Sequence, residues 1–184
     1  MKNPDRRNKY FFGLGTIGRD MFYAFEANAL LYFLSNILSL PIHVFAAVSL
    51  VLSVLRIADA LNDPIMGNII ERTRGKYGKF KPWLLAGSVS TMAVVIAAFN
   101  TTLQGWPFVW FFGVVYFLYS ITYTMHDISY WGMVPALGSD AHTRNQFTAR
   151  ATLFAGIGGT LASVLIPMLT TGSNTIGGNT AFAY

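Results

Sequence analysis

Apolar residues along the chain fall into five long runs, approximately Tyr10 to Leu38, Ile42 to Ile70, Pro82 to Asn100, Pro107 to Leu137 and Thr143 to Thr170. Each reaches the roughly 20 residues that an α-helix needs to cross a bilayer. The segments between them, "SLPIH", "ERTRGKYGKFKP", "NTTLQGWP" and "GSDAHTRNQ", are made of turn formers, charges and prolines and read as loops. The pattern predicts an all-α membrane protein of about five transmembrane helices, with no obvious internal repeat or low-complexity segment.

Composition agrees with that pattern. At 53% hydrophobic and only 11% charged residues, the chain is too apolar for an ordinary water-soluble domain. The net charge of +5 does not point to nucleic acid, because the basic residues sit between apolar runs rather than along a polar face. With no cysteine, disulfides and thiolate metal sites are excluded. The basic start "MKNPDRRNKY" leads into a run that holds Arg19, Asp20 and Glu26 and lacks a small-residue cleavage site, which argues against a removable signal peptide. Asn100-Thr101-Thr102 is a chance match to a glycosylation sequon in a short loop.

Lysine and arginine set the orientation. Lys2, Arg6, Arg7 and Lys9 precede the first run, Arg72 to Lys81 separate the second from the third, and Arg144 and Arg150 flank the start of the fifth; the loops after runs one and three carry none. The positive-inside rule then places the N-terminus in the cytoplasm of a multi-pass plasma (inner) membrane protein. The tail contains "SNTIGGN", which reads as an exposed loop, and "TAFAY", which reads as the opening of a sixth span cut short.

Against this background the stretch "RIADALNDPIMG" is anomalous, because it puts Asp59 and Asp63 inside a membrane helix. One aspartate at a helix centre costs about 2.5 to 3.5 kcal/mol on insertion scales. Counted from the helix ends, Asp20, Asp59, Asp63 and Asp127 all lie roughly 12 to 18 Å from the cytoplasmic surface at 1.5 Å per residue, close to the midplane. Asp59 and Asp63 are spaced i and i+4, so they stack on one face about 6 Å apart and repel unless a cation or proton intervenes. Asn62 lies beside them, and Pro64 is placed to open the local hydrogen-bond ladder. Thr124, Asp127 and Trp131 form a stripe of a hydroxyl, an acceptor and an aromatic plate, a common way to hold a carbohydrate. A shared polar cavity explains four carboxylates at one depth on three helices.

Each residue also has a plainer reading. Asp59 can pair with Arg56 at i−3, Asp20 can be neutralised by Arg19, and Trp131 can be an interfacial anchor. Glu26 lies nearer the outer face, where a local partner or snorkelling accounts for it, and His126 has no assigned role. A magnesium-dependent membrane phosphotransferase or prenyltransferase built on Asp59-x3-Asp63 is a reading of a different class. Such an enzyme needs further carboxylates near the interface and basic residues aimed at phosphate. A non-transporting membrane fragment that binds a partner protein is a third.

Three stretches, "RIADALNDPIMGNIIERTRGKYGKFKPW", "TYTMHDISYWGMVPAL" and "GLGTIGRD", strongly resemble the glycoside-pentoside-hexuronide:cation symporters, the melibiose-permease-like branch of the major facilitator superfamily. The resemblance runs from about Tyr10 to Thr171. It implies a fold of twelve helices in two six-helix bundles with the substrate between them, and a carrier rather than an enzyme. It implies that Asp59 and Asp63 bind the coupling cation, with Asn62 and Thr124 as further oxygen donors. It also implies that Asp20 and Asp127 hydrogen-bond the sugar, that Trp131 stacks on it, and that Arg19 adjoins both sites. Hard oxygen ligands of this kind suit sodium, and lithium or a proton can use the same carboxylates. No other cofactor is implied. The family often places an arginine of helix five in the sugar site; Arg150 lies near that point, although an ungapped alignment puts Thr152 there. The basic loop reads either as a latch on one access state or as a topology signal. On this reading residues 1–184 are a partial N-terminal bundle, truncated before or within helix six, and its partners are a sugar or glycoside, a monovalent cation, membrane lipid and a missing C-terminal bundle.

Overall fold

The computed structural model describes residues 4–37, 40–138 and 140–170, and the expectation of an all-helical fold holds among them. Helix α1 spans Pro4–Tyr32 and is continued by a π-helical turn, Phe33–Ile37; α2 spans Ile42–Arg72, α3 Lys81–Phe99, α4 Gly105–Leu137 and α5 Ala141–Thr170. Both "SNTIGGN" and "TAFAY" lie outside the described residues.

The helix ends follow from the residues that the loops supply. Pro4 opens α1, a position where its missing N–H costs nothing, and this draws the basic start into the helix six residues before Tyr10. Pro41, with φ −54° and ψ 145°, is extended, and its carbonyl accepts the amides of Val44 and Phe45 to start α2. Beyond Thr73 the chain turns through Gly78 at φ +80°, a conformation that suits glycine. The Trp83 indole N–H closes this loop by donating to Thr73 Oγ1 at 2.8 Å. Ahead of α5, Asp140 Oδ2 accepts the Thr143 amide at 2.8 Å as an N-cap. The side-chain and backbone hydrogen bonds from Thr143 hold the Asp140 carboxyl below its ordinary value.

Four helical segments among the described residues are long and apolar enough to cross a membrane: Ile42–Arg72, Lys81–Phe99, Gly105–Leu137 and Ala141–Ile166. Helix α1 is not in that set. It is 29 residues long but carries Lys9, Arg19, Asp20 and Glu26 along its length. Helix α2 runs unbroken through Pro64, as α4 does through Pro135. A proline deletes one N–H, so the ladder loses the bond to the carbonyl of Ala60 while the turns on either side hold.

The described helices fall into two compact units. In the first, α1 and α5 run parallel, with paired positions advancing together along both. Phe12 meets Phe147 edge to face at 5.5 Å, and Thr16 Oγ1 donates to the Ala151 carbonyl at 2.9 Å. Glycine permits the closest approach, since a Cβ on Gly158 would sit 2.5 Å from the Ile17 carbonyl oxygen.

The second unit contains α2, α3 and most of α4. Helix α3 runs antiparallel to α4, with Gly87 against the backbone of His126 and Phe80 against Gly132. A file of rings along α4, Phe108, Phe112, Tyr116, Tyr119 and Tyr123, places successive centroids 5.7 Å apart and stiffens that helix. Val44, Val48 and Phe108 are fully buried.

Candidate functional site

Helix periodicity puts Asp59 and Asp63 on one face of α2, and the same periodicity puts Ser120 and Thr124 on one face of α4. The structure sets these two faces against each other. Ser120 Oγ donates to Asp59 Oδ1, and Thr124 Oγ1 lies 3.2 Å from Asp63 Oδ1 and 3.4 Å from Asp59 Oδ1, within reach of both. Asp59 with Ser120 and Asp63 with Thr124 share a sequence offset of 61, so α2 and α4 run parallel in register and form two successive rungs.

Both hydroxyl residues are buried, at 9% exposure for Ser120 and 4% for Thr124, whereas Asp63 is open on one side. The amide nitrogen of Asn62 is buried without a hydrogen-bond partner among the described residues. A hydrogen bond to a charged group contributes about 1.5 to 3 kcal/mol. Two hydroxyl protons therefore stabilise the half-buried Asp59 and the exposed Asp63, but they leave both negative charges in place. Holding two carboxylates one turn apart among apolar helices calls for a proton or a cation to relieve their repulsion. The two carboxylates and two hydroxyls form a hard, oxygen-rich cluster. Asp59 makes its contacts with Ser120 and Thr124 rather than with Arg56, so the plainer reading of Asp59 does not describe the structure.

For Asp20 the plainer reading does describe it. Arg19 Nη2 lies 3.0 Å from Asp20 Oδ1 and its Nε lies 3.2 Å from Oδ2, a two-pronged ion pair whose side chains are only 7% and 17% exposed. Adjacent helical residues do not ordinarily face one another, so the guanidinium curls back along α1 to make this pair. On α5, Arg150 lays its guanidinium 4.7 Å from the Tyr10 ring centroid. Its Nη1 is buried and has no acceptor among the described residues. Thr152 is exposed.

Asp127 and Trp131 continue the α4 stripe below Thr124, both partly buried, with Trp131 edge-on to Tyr130 at 5.5 Å. Ser120 is the residue that sequence reasoning missed. It is the i−4 neighbour of Thr124 and extends the same stripe upward, a signal present in the spacing.

Long apolar helices that carry a cluster of carboxylates and hydroxyls define a multi-pass membrane protein. Residues 11–184 match the MFS/sugar transport protein family, and the chain belongs to it. It is 32% identical over 172 residues to a lactose permease of Lactobacillus helveticus, covering 86% of this chain and 27% of that protein. To a raffinose carrier protein of Pediococcus pentosaceus it is 30% identical over 170 residues, covering 86% of this chain and 26% of the relative. To the inner membrane symporter YicJ of Escherichia coli it is 27% identical over 176 residues, covering 94% of this chain and 36% of the relative. The chain thus spans about a quarter to a third of the length of these relatives.

Proposed function

We propose that the chain works as the N-terminal part of a larger carrier that moves a sugar or glycoside together with a monovalent cation, by alternating access in the plasma membrane. The observation that carries this reading is the double rung of Asp59, Asp63, Ser120 and Thr124, which gathers carboxylate and hydroxyl oxygens between apolar helices. The names of the relatives, lactose permease, raffinose carrier and symporter, support a sugar as the cargo. Asp59 and Asp63 hold the cation, sodium, lithium or a proton, with Asn62 and Thr124 beside them. Asp20, Arg19, Asp127, Trp131 and Arg150 contact the sugar. The buried donor of Arg150, with no acceptor among the described residues, supports its part in this set. The magnesium-enzyme reading has less support, because hydroxyls rather than further charges face the carboxylates.

The test is uptake of radiolabelled galactosides by membrane vesicles that contain the complete carrier. An imposed inward gradient of sodium, lithium or protons is expected to drive accumulation above the external concentration. Equilibration that ignores all three gradients would overturn symport.

The proposed orientation has the N-terminus in the cytoplasm. Because the chain contains no native cysteine, single cysteines placed at Lys76 and Gln104 report cleanly. A membrane-impermeant maleimide applied outside is expected to label the Gln104 position and to spare the Lys76 position. Labelling of both from outside would refute this topology.

A further inference from the structure

We propose that Ser120 is itself an oxygen ligand of the coupling cation and sets the preference of the site for sodium over lithium. This inference rests on the reading of Asp59 and Asp63 as a cation site. In the structure the Ser120 hydroxyl donates to Asp59 Oδ1 from a buried position on α4. A hydroxyl carries two lone pairs besides its proton, so a cation lodged between the rungs can be met by the oxygen of Ser120 as well as by the carboxylate.

The position of Ser120 allows this. Seven residues earlier, Gly113 faces the same helix, and a Cβ there would lie 3.4 Å from Val51 Cγ1. Small residues at 113 and 120 bring α4 close to α2 along one stripe, and of the two only Ser120 brings a polar atom. A purely steric role is satisfied by any side chain of this size, whereas a ligand role requires the oxygen.

Ligand number and cavity size decide between cations of one charge. Lithium is small and is satisfied by a few close oxygens, whereas sodium is larger and needs more of them. Deleting one neutral oxygen therefore weakens sodium more than lithium, and replacing it with sulphur does the same, because thioether and thiol sulphur are poor partners for hard cations.

All of these groups lie on α2 and α4, and the experiment uses the complete carrier in lipid nanodiscs. Sodium and lithium binding are measured by titration calorimetry for the parent, S120A, S120C and D59N, with helix content and thermal midpoint recorded for each. S120A and S120C are expected to lose roughly 10- to 100-fold in sodium affinity, the range seen when a metal-site partner is removed, with a smaller loss for lithium and an unchanged helix content. D59N is expected to abolish binding of both ions. Parent-like sodium affinity in S120C, or an equal loss for both ions, would overturn the ligand role of Ser120 while leaving the cation site intact. A parent chain that binds neither ion, or a D59N variant that binds normally, would overturn the underlying reading.

Discussion

Replacing Asp59 with cysteine is expected to abolish the cation stimulation of sugar binding while leaving cation-independent binding measurable. Asp59 accepts the Ser120 hydroxyl, has Thr124 Oγ1 3.4 Å from the same oxygen, and stands one turn from Asp63. In the proposed site the two carboxylates together compensate the ion. With one carboxylate gone, the ion loses an anionic oxygen ligand and half of the negative field that draws it from water, and the remaining carboxylate and hydroxyls no longer replace its hydration shell. What disappears is the free energy that links the two ligands, typically about 1 to 3 kcal/mol, or roughly 5- to 150-fold in sugar affinity between sodium-free and sodium-rich buffer. The measurement is galactoside binding to membranes containing the complete carrier, with and without sodium. Full sodium stimulation in the variant would show that Asp59 is a structural residue held by Ser120 and Thr124.

Replacing Asp127 with cysteine is expected to do the converse. Asp127 lies one turn beyond Thr124 on α4, followed one turn later by Trp131. The proposed role is to accept hydrogen bonds from sugar hydroxyls. Bonds to a charged acceptor are worth about 1.5 to 3 kcal/mol each, so losing even one lowers sugar affinity roughly 10- to 150-fold. Sodium binding in the absence of sugar should persist, because no rung of the cation site is touched. Normal sugar binding by this variant would end the division of labour proposed here. Taken together, the two substitutions separate a coupling defect from a recognition defect.

The parts of the site legible in the sequence were those that obey a single-helix rule. Asp59 and Asp63 at i and i+4 have to share a face, and Thr124, Asp127 and Trp131 have to form a stripe, whatever lies opposite. The partnership of Ser120 with Asp59 belongs to the packing of two helices, and a serine near the middle of a greasy helix carries no mark of its own to separate it from a spacer. The Arg19–Asp20 pair was readable only as one alternative, because adjacent helical residues meet only when a long side chain folds back. The clip from Trp83 to Thr73 left no sequence signal either; it depends on how the basic loop turns at Gly78. At the level of the fold, apolar runs and turn formers were sufficient, since in lipid every backbone group must be satisfied within its own helix.

The offset of 61 residues between the two partners of each rung also sets an order of events during synthesis. A ribosome adds about 5 to 20 residues per second, so α4 follows α2 into the insertion machinery after roughly 3 to 12 s. For that interval Asp59 and Asp63 have neither hydroxyl available, and together they oppose release into lipid by about 5 to 7 kcal/mol on insertion scales. The remainder of α2, with a mean hydropathy of 2.0 over its best window, pulls the other way. Helix α2 is therefore expected to linger at the lateral gate until its partner arrives, and photo-crosslinking of arrested nascent chains to the translocon checks this. The residues proposed to bind the ion in the finished carrier are thus also expected to delay the departure of a helix from the translocon.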